Sequence, residues 1–276
     1  MLSNSLKISV IMSVYNHQDY VADAIESIIG QTYVNLEFLI INDGSTDDSL
    51  KIIQKYEKLD SRIIVINQVN LGLTKALNVG IKKSSGTYVA RQDADDISVL
   101  NRLEKQLGAI EKYELDIVTS RAFKNNKIVP NSLIFNFNRS SILKTGNIFI
   151  HGTFFIHRKV FDLQMYDEDY QYAQDFKFIL DAFSKNFKIG SIIEPLYRLN
   201  NIETSISNTK KDGQDHYISV ALVEFFGTDK YFKYINKCNQ YFYKFFKIII
   251  IITLFMSTKG YKFKIIKYIK SFFRMN

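Results

Sequence analysis

A chain of 276 residues with 46% hydrophobic and 14% aromatic content can bury a core of its own, and its single cysteine, Cys238, excludes an internal disulfide and fits a reducing compartment. The net charge of +8 is segregated, because eleven of the 36 Lys and Arg and none of the 28 Asp and Glu fall in residues 230–276, which leaves residues 1–229 at −3. A basic end implies a polyanionic partner, and with no nucleic-acid recognition module beside it an anionic membrane surface is expected and nucleic acid is not. Met1 to Lys7 lacks an apolar stretch ahead of a cleavage site, so secretion is not expected.

Residues 7–14 form an apolar, β-branched run, the pattern of a strand buried on both faces. Tyr15-Asn16 breaks it, and Val21, Ala24, Ile25, Ile28 and Ile29 then predict a helix within 17–30. A second strand, Leu36 to Ile41, ends in Asn42-Asp43-Gly44-Ser45. A helix from about Thr46 to Leu59 follows, with Asp47 and Asp48 placed in its first turn, where acids favour the helix dipole. The unit repeats with a strand at Ile63 to Ile66 and a helix through Leu73 to Ile81. A strand at Tyr88 to Ala90, a helix near Val99 to Tyr113 and a strand at Leu115 to Thr119 complete the series. Alternation at these intervals predicts βαβ units and a mostly parallel sheet flanked by helices, with ligands outside the carboxyl ends of the strands.

Three polar clusters fall at those ends: Tyr15-Asn16, Asp43-Gly44-Ser45 and Asp93-Ala94-Asp95-Asp96. In extended chain, residues two apart point the same way, so Asp93 and Asp95 project to one side and Asp96 to the other. Like charges that close need water or a hard cation between them, and oxygen-only ligands suit Mg²⁺ or Mn²⁺ shared with substrate phosphates. A solvated acidic loop explains the carboxylates alone, and turn chemistry explains each cluster alone. Their convergence at one rim is what argues for a site. No Gly-x-Gly-x-x-Gly follows the first strand and no P-loop signature occurs, so phosphate binding would fall to the metal and side chains.

Four ordered motifs carry a resemblance. Ile8-Ser-Val-Ile-Met-Ser-Val-Tyr-Asn16, Glu37-Phe-Leu-Ile-Ile-Asn-Asp-Gly-Ser-Thr-Asp-Asp48, Asn70-Leu-Gly-Leu-Thr-Lys-Ala-Leu-Asn-Val-Gly80 and the Asp93–Asp96 block resemble glycosyltransferase family 2, over about residues 7–205. These are inverting enzymes of the GT-A fold, here similar to the bacterial surface-polysaccharide type. The resemblance implies a UDP-sugar donor bound by Val14, Tyr15, Asn16, Asp43, Lys75, Asn78, Arg91, Asp93 and Ala94. Within that set Asp43 would read the uracil and Asp93 lie near the ribose, while Asp95 would ligate Mn²⁺ or Mg²⁺ bridging the diphosphate. Ser13 stands where many relatives have proline.

Residues 123–137 are polar and predict a loop or small hairpin. Asn147 to His157 reads as a strand interrupted at His151-Gly152-Thr153. A lone histidine beside an apolar strand can be structural, whereas the family resemblance places this element near the donor diphosphate and the acceptor. Apolar residues at 173, 176, 179, 180 and 183 predict a helix with Asp175 in its first turn. Asp175 either complements the helix dipole or, as the resemblance implies, acts as general base. Gln174 replaces the family's usual Glu. Inverting transfer needs a base for the acceptor hydroxyl and positive charge on the leaving diphosphate.

Lys230, Lys233, Lys237, Lys244 and Lys247 share roughly a 100° arc of a helix beside Tyr and Phe, the pattern of an interfacial membrane segment. Ile248 to Met256 is nine residues, too short to span a bilayer core of about 30 Å. The expected organisation is therefore a GT-A domain over 1–229 and a basic, membrane-associating tail over 230–276, with packing of the tail on the domain as the alternative. The expected function is transfer of a hexose or N-acetylhexosamine from a UDP-sugar to a lipid-linked oligosaccharide acceptor, for cell-surface polysaccharide, at the cytoplasmic face of the membrane. The competing reading is a non-catalytic module that keeps the fold to bind a nucleotide-sugar or glycan.

Overall fold

The computed structural model describes residues 6–125, 127–130, 148–200, 213–214, 216–218 and 220–226. The chain divides into two compact units, Met1–Ala221 and Leu222–Asn276. In the second, only residues 222–226 are described and they are helical, so the basic tail predicted over 230–276 lies outside the described residues.

The first unit opens with the predicted alternation: β1 (Ile8–Val14), α1 (Val21–Ile29), β2 (Leu36–Asp43), α2 (Ser49–Leu59), β3 (Ile63–Gln68), α3 (Leu73–Lys83) and β4 (Tyr88–Asp93). Then come β5 (Ile97–Ser98), α4 (Arg102–Lys112), β6 (Ile117–Lys124), β7 (Lys127–Val129), β8 (Phe155–His157), α5 (Gln174–Ser184) and β9 (Ile189–Leu199). Among the described residues the strands form one sheet in the order β3-β2-β1-β4-β8-β6-β9-β5, with β7 hairpinned onto β6. The first four strands are parallel, joined by helical crossovers long enough to allow it. Beyond β4 the expectation of parallel pairing is corrected. β8 runs antiparallel to both β4 and β6, β5 runs antiparallel to β9, and only β6 and β9 pair in parallel.

Strand residues alternate between two apolar layers, as a pleat requires. Val10, Met12, Phe38 and Ile40 pack with Val21, Ile25 and Ile28 of α1 and with Leu103 and Leu107 of α4. Ile11, Leu39 and Ile41 point the other way, onto Ala76, Leu77 and Ile81 of α3 and Phe178 and Ile179 of α5. Each fully buried Ile or Leu contributes about 1.5–3 kcal/mol, so these two layers rather than helix propensity hold α1, α3 and α4 in place.

The strand order reverses at β1, since β2 and β3 lie on one side of it and β4 on the other. Such a reversal opens a crevice at the strands' carboxyl ends. Ser13 near the end of β1 pairs with Asp93 at the end of β4, which sets the acidic block at that crevice.

Candidate active site

The loop after β1 and the loop after β2 are laced together by side chains. The Asn16 amide carbonyl accepts from Thr46 N–H at 2.8 Å, and Asn16 N–H donates to Ser45 Oγ at 3.1 Å. Gln18 N–H donates to Asp47 at 3.0 Å, Asp48 N–H donates back to the Gln18 side chain at 3.0 Å, and His17 N–H donates to Ser49 Oγ at 2.9 Å. These bonds hold residues 15–18 out of helix, with Asn16 at φ 56°. They explain why α1 and α2 begin later than periodicity suggests and why Asp47 sits in the loop rather than in a helical first turn. The lacing leaves the Tyr15 side chain exposed at the rim, while the Val14 side chain is buried in the core.

Asp43 is buried, and its carboxylate accepts from Gln68 Nε2 at 2.7 Å, Leu71 N–H at 2.9 Å and Gly72 N–H at 2.9 Å. It thus anchors the turn leading into α3 and keeps one carboxylate lone-pair site in hand. Two further residues expected at the donor are held by protein partners. Asn78 is buried, its amide held by Tyr166 N–H and C=O and by Glu168, so it secures the 166–168 segment on α3. Arg91 is buried, with its guanidinium on the Ile11 and Gln92 carbonyls and on Asp93 Oδ1, so it steadies that carboxylate. Lys75, by contrast, is exposed at the start of α3, and Ala94 is buried.

The acidic turn is built from below. Gln92, fully buried, donates to the carbonyls of Asp93 at 3.0 Å and Asp96 at 2.8 Å and accepts from Ser98 Oγ at 2.6 Å. Asn200 clamps the far side, its N–H donating to Asp96 Oδ1 at 2.9 Å and its amide to the Asp95 carbonyl. Asp96 faces inward, and burial, with the charges of Asp93 and Asp95, pushes its carboxyl up to about 9. Asp93 and Asp95 stay half-buried. The Asp95 carboxyl is raised by burial and then by Asp93, with His17 and Arg91 opposing.

That arrangement fits a divalent metal. Asp95 carries excess negative potential at a ligand-accessible position, and its donors are all oxygen. Among the described residues no cluster of three His, Cys, Asp or Glu is placed to hold an ion.

Opposite the acidic turn, His151–Thr153 forms a tight 3-10 turn ahead of β8. Its residues divide. Thr153 is buried, its hydroxyl donating to the Ile150 carbonyl at 2.7 Å and accepting from Ser120 N–H. The His151 ring lies edge-on to Phe154 and Tyr166, and its Nε2 bonds the Tyr166 hydroxyl at 2.8 Å. Burial and the nearby Arg91 charge hold its pKa well below the usual value, so the ring is neutral. Gly152 sits against the acidic turn: a Cβ there would lie 2.6 Å from Asp93 Oδ2 and run into the Tyr197 hydroxyl.

Asp175 occupies the first turn of α5, half-buried, after Ala173 in a left-handed conformation. Gln174 is buried beside it. The Tyr166 hydroxyl is raised chiefly by burial, opposed by Arg91, and raised further by Asp175 and Asp93. Both carboxylates therefore stand within electrostatic reach of one hydroxyl.

Sequence reasoning missed Arg102, Gln106, Tyr197, Gln92 and Asn200. The signal for the first two was present, because helical spacing puts Arg102 and Gln106 on the same face as Leu103, Leu107 and Ile110. A polar residue on an apolar stripe is the informative observation there.

A sheet that reverses order at β1, with a carboxylate-bearing turn at the crevice beside it, is the architecture of the GT-A fold. Residues 9–163 match the profile of Glycosyl transferase family 2. An uncharacterized glycosyltransferase of Haemophilus influenzae is 32% identical over 273 residues, covering 83% of each chain. S. aureus TarS 1–349, solved in complex with UDP-GlcNAc, aligns at TM-score 0.64 and 22% identity over 79% of this chain and 67% of its own. The mannosyltransferase PcManGT from Pyrobaculum calidifontis, in complex with GDP-Man and Mn²⁺, aligns at TM-score 0.59 and 14% identity over 74% of this chain and 60% of its own. The chain belongs to glycosyltransferase family 2.

Proposed function

We propose that this protein transfers a hexose or N-acetylhexosamine from a UDP-sugar, with inversion, to a lipid-linked oligosaccharide acceptor in the synthesis of a cell-surface polysaccharide. The observation that supports the reading is the meeting, at the carboxyl ends of β1, β2 and β4, of the laced Tyr15–Ser49 loops, Asp43 and the Asp93–Asp96 turn. Asp43 and the exposed Tyr15 would receive the base, and Asp93 would lie near the ribose. Asp95 would hold Mn²⁺ or Mg²⁺, which supplies positive charge for the departing diphosphate. Asp175 would take the acceptor hydroxyl's proton as that oxygen bonds to C1. Neutral His151 can hydrogen-bond without adding charge. The basic segment 230–276 would hold the enzyme peripherally on the cytoplasmic face of the membrane, where a lipid-linked acceptor resides.

Incubation with a panel of UDP-sugars, Mn²⁺ and membrane extract, followed by NMR of the product anomer, tests this. An inverted glycoside supports the reading. Retention of configuration, or neither transfer nor donor hydrolysis with any UDP-sugar, rejects it.

A further inference from the structure

Two side chains from different elements join the acidic turn to the His151–Thr153 turn. Arg102, on α4, is fully buried, and its Nη1 donates to the Arg91 and Gly152 carbonyls, each at 2.9 Å. Tyr197, on β9, is fully buried as well. Its hydroxyl accepts Asp93 N–H at 2.9 Å and fills the space that a Cβ on Gly152 would need. The two act together, because the Arg102 guanidinium lies over the Tyr197 ring, 5.4 Å from its centroid. One helical turn on, Gln106 Nε2 donates to the Thr153 carbonyl at 2.6 Å.

A buried arginine with no carboxylate in contact is costly. Among the described residues neither its Nε nor its Nη2 has a hydrogen-bond partner. The compensation on view is bridging: Nη1 contacts the carbonyl two residues before Asp93 and that of the glycine facing Asp93.

We infer that Arg102 and Tyr197 are positioning residues which fix the separation of the acidic turn and the His151–Thr153 turn, and thereby the aim of Asp93 and Asp95 at a metal-bound diphosphate. The inference rests on the metal role proposed for Asp95. It adds that the aim is set from behind, by α4 and β9, and not by the acidic turn itself. Tyr197→Phe keeps the ring under Arg102 and removes only the acceptor of Asp93 N–H.

The test is the ratio of UDP affinity with and without Mn²⁺, measured by calorimetry on the full chain. Circular dichroism establishes that each variant is folded. Tyr197→Phe should lower the ratio about tenfold, the worth of one buried hydrogen bond. Arg102→Lys keeps the charge but loses the planar fork, and should lower it comparably. Gly152→Ala should lower it further, and adding Tyr197→Phe should recover part of that loss by vacating the hydroxyl's space. A purely structural brace would change melting temperature and leave the ratio alone. An unchanged ratio in folded Tyr197→Phe and Arg102→Lys therefore overturns the inference. If wild-type affinity for UDP is itself indifferent to Mn²⁺, the metal reading fails first and takes this inference with it.

Discussion

At Asp95 a carboxyl is held half-buried beside Asp93, and its pKa is raised by burial and then by the Asp93 charge. Asp95→Asn removes that charge while keeping the shape, so Mn²⁺-dependent UDP binding should fall below calorimetric detection with folding intact. Undiminished affinity would remove Asp95 from the metal site. Asp175→Asn should leave UDP affinity near wild type and slow transfer about 10²–10⁴-fold, the usual worth of a positioned base. Transfer within a few fold of wild type would place the base elsewhere. Period-two spacing would put Asp93 and Asp95 on one side of an extended chain, but β4 ends at Asp93 and Asp95 lies in the turn beyond it, and the roles proposed for Asp95 and Asp175 rest on the family resemblance. Asn78, Arg91 and Thr153 share a property that sequence cannot display. Their polar groups turn inward to bind backbone of distant segments, Tyr166 in the first case and the sheet's own carbonyls in the second.

Among the elements, α3 packs Gly80 directly against side chains of β1 and β2. A Cβ at position 80 would come within 2.7 Å of Ile11 Cγ2 and of Ile41 Cδ1. Gly80→Ala gains about 1 kcal/mol of helix propensity, yet overpacking typically costs about 1–3 kcal/mol, so the variant should melt lower than wild type. Ile41→Val in the same chain deletes the clashing methyl and should restore part of the loss. At the opposite, amino-terminal edge of the sheet, Glu37 accepts from Lys7 Nζ, Ser9 Oγ and Ser85 N–H, each at 2.6 Å. Burial alone would raise its pKa, but those hydrogen bonds overcome it and hold the carboxyl at about 2. A depressed carboxylate stabilises the fold fully above its ordinary value of 4.5, and that contribution is lost as pH falls from 4.5 towards 2. Thermal melts should therefore show Glu37→Gln less stable than wild type at pH 7, with the gap closing by pH 2. A gap that does not narrow would detach Glu37 from the acid sensitivity. The alternating elements from β1 to β4 were readable because each buries a continuous apolar run or a helical stripe. β9 was not, because Glu194-Pro195 interrupts its pattern and the strand accommodates Pro195 at a register shift against β6. Two-residue β5 carries no periodicity to read.

For the molecule as a whole the open question is what the charge asymmetry does. No helix among the described residues is long and apolar enough to cross a membrane. Residues 1–229 carry −3, so an anionic surface would repel them weakly, and any attraction has to come from the eleven cations of 230–276. Each Lys or Arg near such a surface contributes about 1 kcal/mol, falling away within a Debye length of about 8 Å at physiological salt. Half of them engaged would give about 5 kcal/mol, enough for useful but salt-sensitive adhesion. Replacing Lys230, Lys233, Lys237, Lys244 and Lys247 by Gln in the full chain removes five charges and leaves the aromatic residues in place. In flotation with vesicles of graded anionic-lipid content, wild type should float increasingly with lipid charge and be released by added salt. The five-fold variant should need markedly more anionic lipid for the same recovery. Its UDP affinity should be unchanged, since those positions lie outside the catalytic domain proposed for 1–229. Transfer to vesicle-borne acceptor should drop while donor hydrolysis in solution does not. Equal flotation of the two proteins at every lipid composition would show that the basic segment serves some end other than the membrane.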